Sequence, residues 1–276
     1  MFTKTKKLVT LVLLFSSMLY AVVPPKAKIG VSPSRFELLY DNKRKTNVIT
    51  LINYSNKKIT AEISLSNWTL ENGQIKNIAP TTQSLDQWIL ITPVRFTIKP
   101  NDTKTIRFAI RPRTKPTSGE HRAMIWIDEI LPEGDSEGIR FKFQLGVPVY
   151  LNVPPTYAKG LLNQITTTVG KESIDVTLAL QNRGNVHDRL TGSISLWKAS
   201  SNISKAQRDN IVKKDLKNKA LIYTTTLPAG PVLPKLKAKD ILSIPKPKRK
   251  GKYLLYLKGH FKNGKEIVKE KYIYIK

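Results

Sequence analysis

Few residues in this sequence could do catalytic or metal chemistry. The three histidines, His121, His187 and His260, are scattered, and none has a second histidine at a spacing that holds a metal ion. The adjacent acids Asp128 and Glu129 close a predicted strand, where neighbouring side chains face opposite ways, so they do not form an acid–base pair. The chain has no GxSxG turn and no glycine-rich phosphate loop. We predict that the protein is not an enzyme and uses no cofactor or metal ion.

The most regular pattern is the stretch 139–153, which reads IRFKFQLGVPVYLNV. Every odd position is apolar and most even positions are polar. This alternation predicts one long strand with a single apolar face. Pro148 cannot donate a ladder hydrogen bond, which favours a sheet edge or a bulge. A long apolar edge strand recruits other strands, so either the fold covers it or pairing with another chain is its purpose.

The first residues have the features of an export signal. A lysine-rich start precedes an uncharged apolar run over 8–20, and Ala21 offers a cleavage point. The run is shorter than the roughly 20 residues of a membrane span, although an uncleaved anchor is the alternative. Without cysteine there is neither a lipid-attachment site nor a disulfide. We expect a signal peptide at 1–21 and a periplasmic protein with no transmembrane segment after cleavage.

Positive charge is concentrated in the second half of the chain. Residues 22–156 contain 19 lysines and arginines against 12 acidic residues, whereas 157–276 contain 25 against eight. Such a surface attracts polyanions, and an exported protein meets anionic envelope polymers and lipid head groups rather than nucleic acid. The simpler interpretation, which we favour, is that lysines keep a β-rich protein soluble.

Short apolar runs separated by turn residues predict an all-β protein. We expect two immunoglobulin-like β-sandwich domains, 22–154 and 155–276, joined by a short proline-containing elbow. In the second domain, 204–219 is predicted to be a surface helix or a long loop. The pair His187–Asp188 follows a turn and is predicted to lie on the surface, and the tyrosines of the last two strands are predicted to pack across strands.

Several stretches of the first half resemble one protein family. These are SPSRFELLY, LINYSNK, TPVRFTIKPNDTKTIRFAI and a strand ending IDEILP, followed by the long alternating strand. In this order they resemble the first domain of PapD-like periplasmic chaperones of pilus and fimbrial assembly. The resemblance covers roughly 29–154. It implies that the long strand is lent to a secreted pilus-like subunit, whose open groove receives alternate apolar side chains.

The resemblance also implies which residues bind the subunit. The donated side chains would be those of Ile139, Phe141, Phe143, Leu145 and Val147. The family holds the terminal carboxylate of the subunit with an arginine of the first strand and a lysine of the last strand. The candidate anchors here are Arg35, Arg140 and Lys142. An outer-membrane usher would be a second partner, and we expect a monomer or weak self-association.

The stretch 235–252 contains eight basic residues and one acid. Its functional interpretation is contact with an anionic surface or an outer-membrane partner through Lys246, Lys248, Arg249 and Lys250. The alternative is a solvated loop between edge strands. For the whole chain, the rival to a chaperone is a structural or adhesive two-sandwich envelope protein that binds anionic surface polymers and keeps the long strand in its own interior.

Overall fold

Two pairs of β-sheets make up the chain, one before residue 154 and one after residue 159. The computed structural model describes residues 28–276 except 44, 72, 133–140 and 263. The predicted signal peptide at 1–21, together with Ile139 and Arg140, lies outside the described residues. Within the described ranges, no helix has the length and apolar character needed to cross a membrane. The prediction of an all-β protein with two sandwich domains is confirmed.

The first domain pairs a sheet of order β1-β3-β8-β6 with a sheet of order β2-β10-β9-β4-β5, in which β7 also pairs with β4. Alternate apolar side chains meet between the two sheets, because successive strand residues face opposite ways. Ile49, Phe108 and Ile125 are among the buried residues of this core. The short strands β1 and β5 were not predicted. The strands are β1 (Ile29–Ser32), β2 (Phe36–Leu39), β3 (Thr46–Asn53), β4 (Ile59–Glu71), β5 (Gln74–Ile78), β6 (Ile89–Thr92), β7 (Arg95–Ile98), β8 (Thr103–Ile110), β9 (Gly119–Ile130) and β10 (Gln144–Val153).

The long strand predicted over 139–153 is shorter in the structure. β10 begins at Gln144, and residues 141–143 are not in a strand. The Phe143 N–H donates to the side-chain Oε2 of Glu129 at 3.1 Å rather than to a backbone carbonyl of β9. The prediction of one strand through Phe141 and Phe143 is therefore wrong, because alternation indicates side-chain faces but not where backbone pairing stops.

The second domain has a three-stranded sheet, β11-β12-β15, and a four-stranded sheet, β14-β13-β16-β17. Leu178, Leu196 and Leu255 are among the buried residues between them. The basic stretch 235–252 is only partly a loop, because β15 pairs with β12 over nine residues. The elements are β11 (Gly160–Val169), β12 (Ser173–Asn182), β13 (Thr191–Lys198), α1 (Lys205–Lys213), β14 (Leu221–Thr226), β15 (Lys237–Pro245), β16 (Gly251–His260) and β17 (Glu266–Ile275).

The segment predicted to be a helix or a loop contains the short helix α1. Ser204 caps it, since its side chain accepts from the Gln207 N–H while the Gln207 side chain accepts from the Ser204 N–H. Ile211 and Val212 pack on Trp197, Leu254 and Tyr256, which lie on the outer face of the second domain. The helix therefore covers apolar side chains that the sandwich core does not.

The two domains meet through a small apolar cluster and several buried polar groups. Trp68, Met124 and Tyr150 of the first domain pack with Leu233 of the second. The Glu120 N–H donates to the Asn185 carbonyl at 2.9 Å. These contacts form the joint between the domains, which also contains the proline-containing elbow.

His187 and Asp188 lie in this joint and not on the surface. Both are fully buried. Asp188 accepts hydrogen bonds from the N–H groups of Gly160 and Lys262, each at 3.0 Å, and so connects the start of β11 to the turn between β16 and β17. The prediction of a surface pair is wrong, because the partners that bury these polar groups are distant in sequence.

Candidate functional site

One edge of β10 is paired over only part of its length. On one side β10 pairs with β9 from Gln144 to Val153, whereas on the other side β2 pairs with Val149–Asn152 alone. Within the described part of the chain, no strand pairs with residues 144–148 on that second side. We refer to this segment as the open edge.

The backbone of the open edge has groups free to pair. Phe143 accepts from the Glu129 N–H of β9, while Asn152 accepts from the Tyr40 N–H on the opposite side. Backbone groups of successive strand residues point to alternate edges, so Gln144 and Gly146 present their N–H and C=O groups at the open edge. Pro148, with no N–H, stands where the open edge meets the part covered by β2.

The apolar residues of this strand pass from solvent into the core. Phe141 is 77% exposed, and Phe143 and Leu145 are half-buried at the margin of the first core. Val147 has no exposed surface. Val147 is therefore part of the chain's own core, and the expectation that its side chain reaches a partner is corrected, because the core between the two sheets of the first domain already encloses it.

The half-buried residues continue an apolar row across the sheet. Leu145 is in register with Ile127, which is in register with Ile63. Ile127 is fully buried, whereas Ile63 is half-buried like Leu145. The first core therefore opens at this end of the sheet, next to the open edge.

The candidate anchors are not brought together. The Arg35 Nε lies 3.5 Å from Oε1 of Glu37, next to the part of β10 that β2 covers. Lys142 is exposed and lies beyond the opposite end of the open edge. The five residue-to-residue steps from Gln144 to Val149 alone span about 17 Å. Arg140 lies outside the described residues.

A cluster of charged residues beside β2 was not predicted. The Lys262 Nζ donates to Oε2 of Glu37 at 3.1 Å, and the His187 Nε2 lies 3.4 Å from Oε1 of the same carboxylate. Burial raises the pKa of Glu37, but the hydrogen bond from Lys262 and the charges around it outweigh burial and lower the pKa below its ordinary value. The Glu37 carboxylate that pairs with Arg35 therefore also contacts two residues of the second domain, His187 and Lys262.

Glu120 is the buried member of this cluster. Its Oε2 accepts from the His187 N–H at 2.7 Å and contacts the His187 Nδ1, and its Oε1 accepts from Arg122 at 3.0 Å. Burial raises the pKa of Glu120, but the hydrogen bond and charge of His187 and the charge of Arg122 together lower it. No sequence signal indicates this pairing, since its members are 67 residues apart.

The residues that could have served catalysis have structural partners. Asp128 accepts from the Gln144 side chain at 2.6 Å, and Glu129 binds the Phe143 N–H. Both ring nitrogens of His121 contact backbone carbonyls, those of Gln83 and Thr117. Across the described residues, no group of three or more histidine, cysteine or acidic side chains could hold a metal ion.

The basic candidates of the second domain divide into two kinds. The Lys246 Nζ donates to the Gly170 carbonyl at 3.1 Å, so its ammonium group already has a hydrogen-bond partner within the second domain. Lys248, Arg249 and Lys250 are exposed in the loop between β15 and β16.

Residues 30–154 match the family described as pili and flagellar-assembly chaperone, PapD N-terminal domain. Among curated proteins, no relative matches the chain. Solved structures that this chain resembles include the CsuC–CsuE chaperone–tip subunit complex of Acinetobacter baumannii, at 15% identity and TM-score 0.46, with 88% of this chain and 98% of that chain covered. The CupB2 chaperone of Pseudomonas aeruginosa has 12% identity and TM-score 0.42, with 87% and 98% covered. Residues 30–154 of the chain therefore form a PapD-like N-terminal domain of the family of pilus and flagellar-assembly chaperones.

Proposed function

We propose that this protein is a periplasmic chaperone that binds and stabilises secreted pilus- or fimbria-like subunits by donating part of its last first-domain strand. The observation that carries the proposal is the open edge of β10 next to the exposed Phe141. The family of the first domain supports a chaperone role. The signal-like start of the sequence supports the periplasmic location.

Strand donation uses the backbone and the side chains of the same segment. Gln144 and Gly146 offer backbone groups to a subunit strand, while Phe141, Phe143 and Leu145 offer apolar side chains to its groove. Burial of each large apolar side chain contributes about 1.5–3 kcal/mol relative to full exposure. Phe141 gains most, because it starts almost fully exposed, and Leu145 gains less. The donated segment thus ends before Val147, which the sequence alone predicted to be part of it, because Val147 is buried in the chain's own core.

Arg35, Arg140 and Lys142 remain the proposed anchors for the terminal carboxylate of the subunit, with unequal roles. Arg35 already has Glu37 as a partner, whereas Lys142 forms no ion pair with a described residue. A carboxylate can therefore bind Lys142 without displacing an ion pair to any residue that the structure describes. We also propose an outer-membrane usher as the receiver of the loaded chaperone.

The test uses a secreted subunit encoded beside this chain and co-expressed with it. Phe141→Glu, alone and with Leu145→Glu, should reduce recovery of the soluble subunit and its co-purification with the chaperone. Leu90→Glu is the matched control, because Leu90 is 58% exposed on β6 of the other sheet. If the folded Phe141→Glu variant recovers as much subunit as the wild type, strand donation is wrong.

The rival is a structural or adhesive envelope protein that binds anionic surface polymers. The exposed basic loop at 248–250 favours it. In that protein the long strand would belong entirely to the interior, so Phe141→Glu would unfold the domain. A Phe141→Glu variant with wild-type stability and lost subunit binding rejects the rival.

A further inference from the structure

A second surface, on the other domain, combines exposed tyrosines with lysine. Tyr272 and Tyr274 of β17 are 53% and 63% exposed. The Lys252 Nζ of β16 lies 4.1 Å from the ring centre of Tyr272 and 5.7 Å from that of Tyr274. The tyrosines of this pair contact the neighbouring strand, as predicted, but their contact there is Lys252 and more than half of each residue is exposed. Their rings lie in solvent beside a cation.

The basic loop joins this surface. Residues 248–250 run directly into β16, whose second residue is Lys252. We define the lysine–tyrosine surface by its members, which are Lys248, Arg249, Lys250, Lys252, Tyr272 and Tyr274. None of its four cations forms an ion pair with a described acidic residue. The excess positive charge of the second domain is thus present on this surface itself, and is not only an average over the domain.

The acids of β16 and β17 lie towards the other end of the hairpin. Glu266 is in register with His260 and Glu270 with Tyr256, whereas Lys252 is in register with Tyr274. Lys258, at that other end, is paired with both Asp209 and Glu266. The acids of the hairpin therefore lie towards one end, and the other end has positive charge beside exposed aromatic rings.

We propose that the lysine–tyrosine surface binds the head groups of anionic phospholipids at a membrane surface. Lysine and arginine are attracted to anionic head groups, and tyrosine has an apolar ring with a polar tip that suits the membrane–water interface. A sugar polymer would stack on open ring faces, but the Lys252 ammonium already covers one face of Tyr272. This inference goes beyond the proposed chaperone function, since the surface and the open edge lie on different domains.

The test is co-sedimentation of the exported protein, purified from the periplasm of an expression host, with lipid vesicles. It should bind phosphatidylcholine vesicles that contain phosphatidylglycerol and not pure phosphatidylcholine, and added salt should weaken binding. Replacing Lys248, Arg249 and Lys250 by glutamine should lower the affinity about a hundredfold, because each cation near an anionic membrane surface raises the affinity about fivefold. Tyr272→Ser with Tyr274→Ser should lower it about tenfold.

The matched control removes the same charge from the opposite end of the domain. Lys159, Lys237 and Lys239 are exposed, and Lys237 lies about 25 Å from Pro245 along β15. Their replacement by glutamine should change the affinity less than about fivefold. Equal loss in both triple variants would overturn the proposal, as would wild-type binding by the first triple variant.

A third arm separates a membrane from a soluble polyanion. Dextran sulfate should compete poorly with vesicles, and the tyrosine substitutions should weaken vesicle binding more than dextran sulfate binding. If dextran sulfate binds as well as vesicles and the tyrosines matter to neither, the surface is a general polyanion site and the membrane proposal is wrong.

Discussion

Two hydrogen bonds join Glu129 and Phe143 immediately before β10 begins. The Glu129 N–H donates to the Phe143 carbonyl, and the Phe143 N–H donates to the Glu129 carboxylate, each at 3.1 Å. A side chain thus replaces the backbone acceptor that would have continued the ladder. The segment that starts at Phe141 is thereby held near β9 without being a strand of that sheet.

Removing this carboxylate should loosen the entry to the open edge. In Glu129→Ala we expect the Phe143 amide to exchange its hydrogen about two- to tenfold faster, because one hydrogen bond of about 0.5–1.5 kcal/mol is lost. Hydrogen exchange followed by NMR measures the change. Asp128→Ala is the control, since Asp128 binds the Gln144 side chain and leaves the Phe143 amide untouched. Equal exchange in the two variants would contradict the assigned role of Glu129.

The strand should divide into a part for binding and a part for stability. Val147→Ala should lower the free energy of unfolding by about 2 kcal/mol, because Val147 is fully buried and a cavity remains. Phe141→Ala should change it by less than about 0.5 kcal/mol, because Phe141 is mostly in solvent. Urea denaturation measures both. A large loss in Phe141→Ala would instead place the ring in the chain's own core.

The domain joint should weaken in acid. Glu120 has a lowered pKa in the folded protein against an ordinary value of 4.5, so its contribution to stability is complete above about pH 4.5 and is lost as the pH falls through the folded value. Glu120→Gln should lower the free energy of unfolding by about 2 kcal/mol at neutral pH. Denaturation curves at several pH values should show this difference shrinking below pH 4.5. A difference that is constant with pH would be inconsistent with an ionised Glu120.

Gly146 should resist substitution for steric reasons. A Cβ at this position would lie 2.9 Å from Cζ3 of Trp126 and 3.0 Å from Sδ of Met124. Gly146→Ala should therefore destabilise the domain by about 1–3 kcal/mol and change tryptophan fluorescence as the Trp126 ring moves. Gln144→Ala, at an exposed position on the same face, serves as the control and should change neither quantity much. Wild-type stability in Gly146→Ala would show that the indole moves freely.

The sequence predicted those features that depend on interactions between residues close together in the chain. Alternation predicted most strands, and a helix or loop was expected where α1 forms, because Ile211, Val212 and Leu216 have near-helical spacing. It also pointed to the segment that carries the open edge. The odd positions from Phe141 to Val153 look equivalent in sequence, yet Phe141 is in solvent and Val147 is in the core.

That difference arises from which strands lie opposite, which is a property of the assembled sheets. The joint was missed for the same reason. Burial of His187 depends on Glu120 and Glu37, far away in the chain, and a turn-flanked His–Asp pair has the local composition of a surface loop. Likewise, the separation of Arg35 from Lys142 follows from strand register, which residue types alone do not reveal.

Pro148 gives the open edge a defined end. A strand that pairs there finds donors at Gln144 and Gly146, then a residue with no donor, and then the stretch already occupied by β2. Backbone pairing with an added segment therefore stops at Pro148, whatever the length of that segment. The part of the segment that extends past Pro148 stays unpaired along β10, because β2 already pairs with Val149–Asn152.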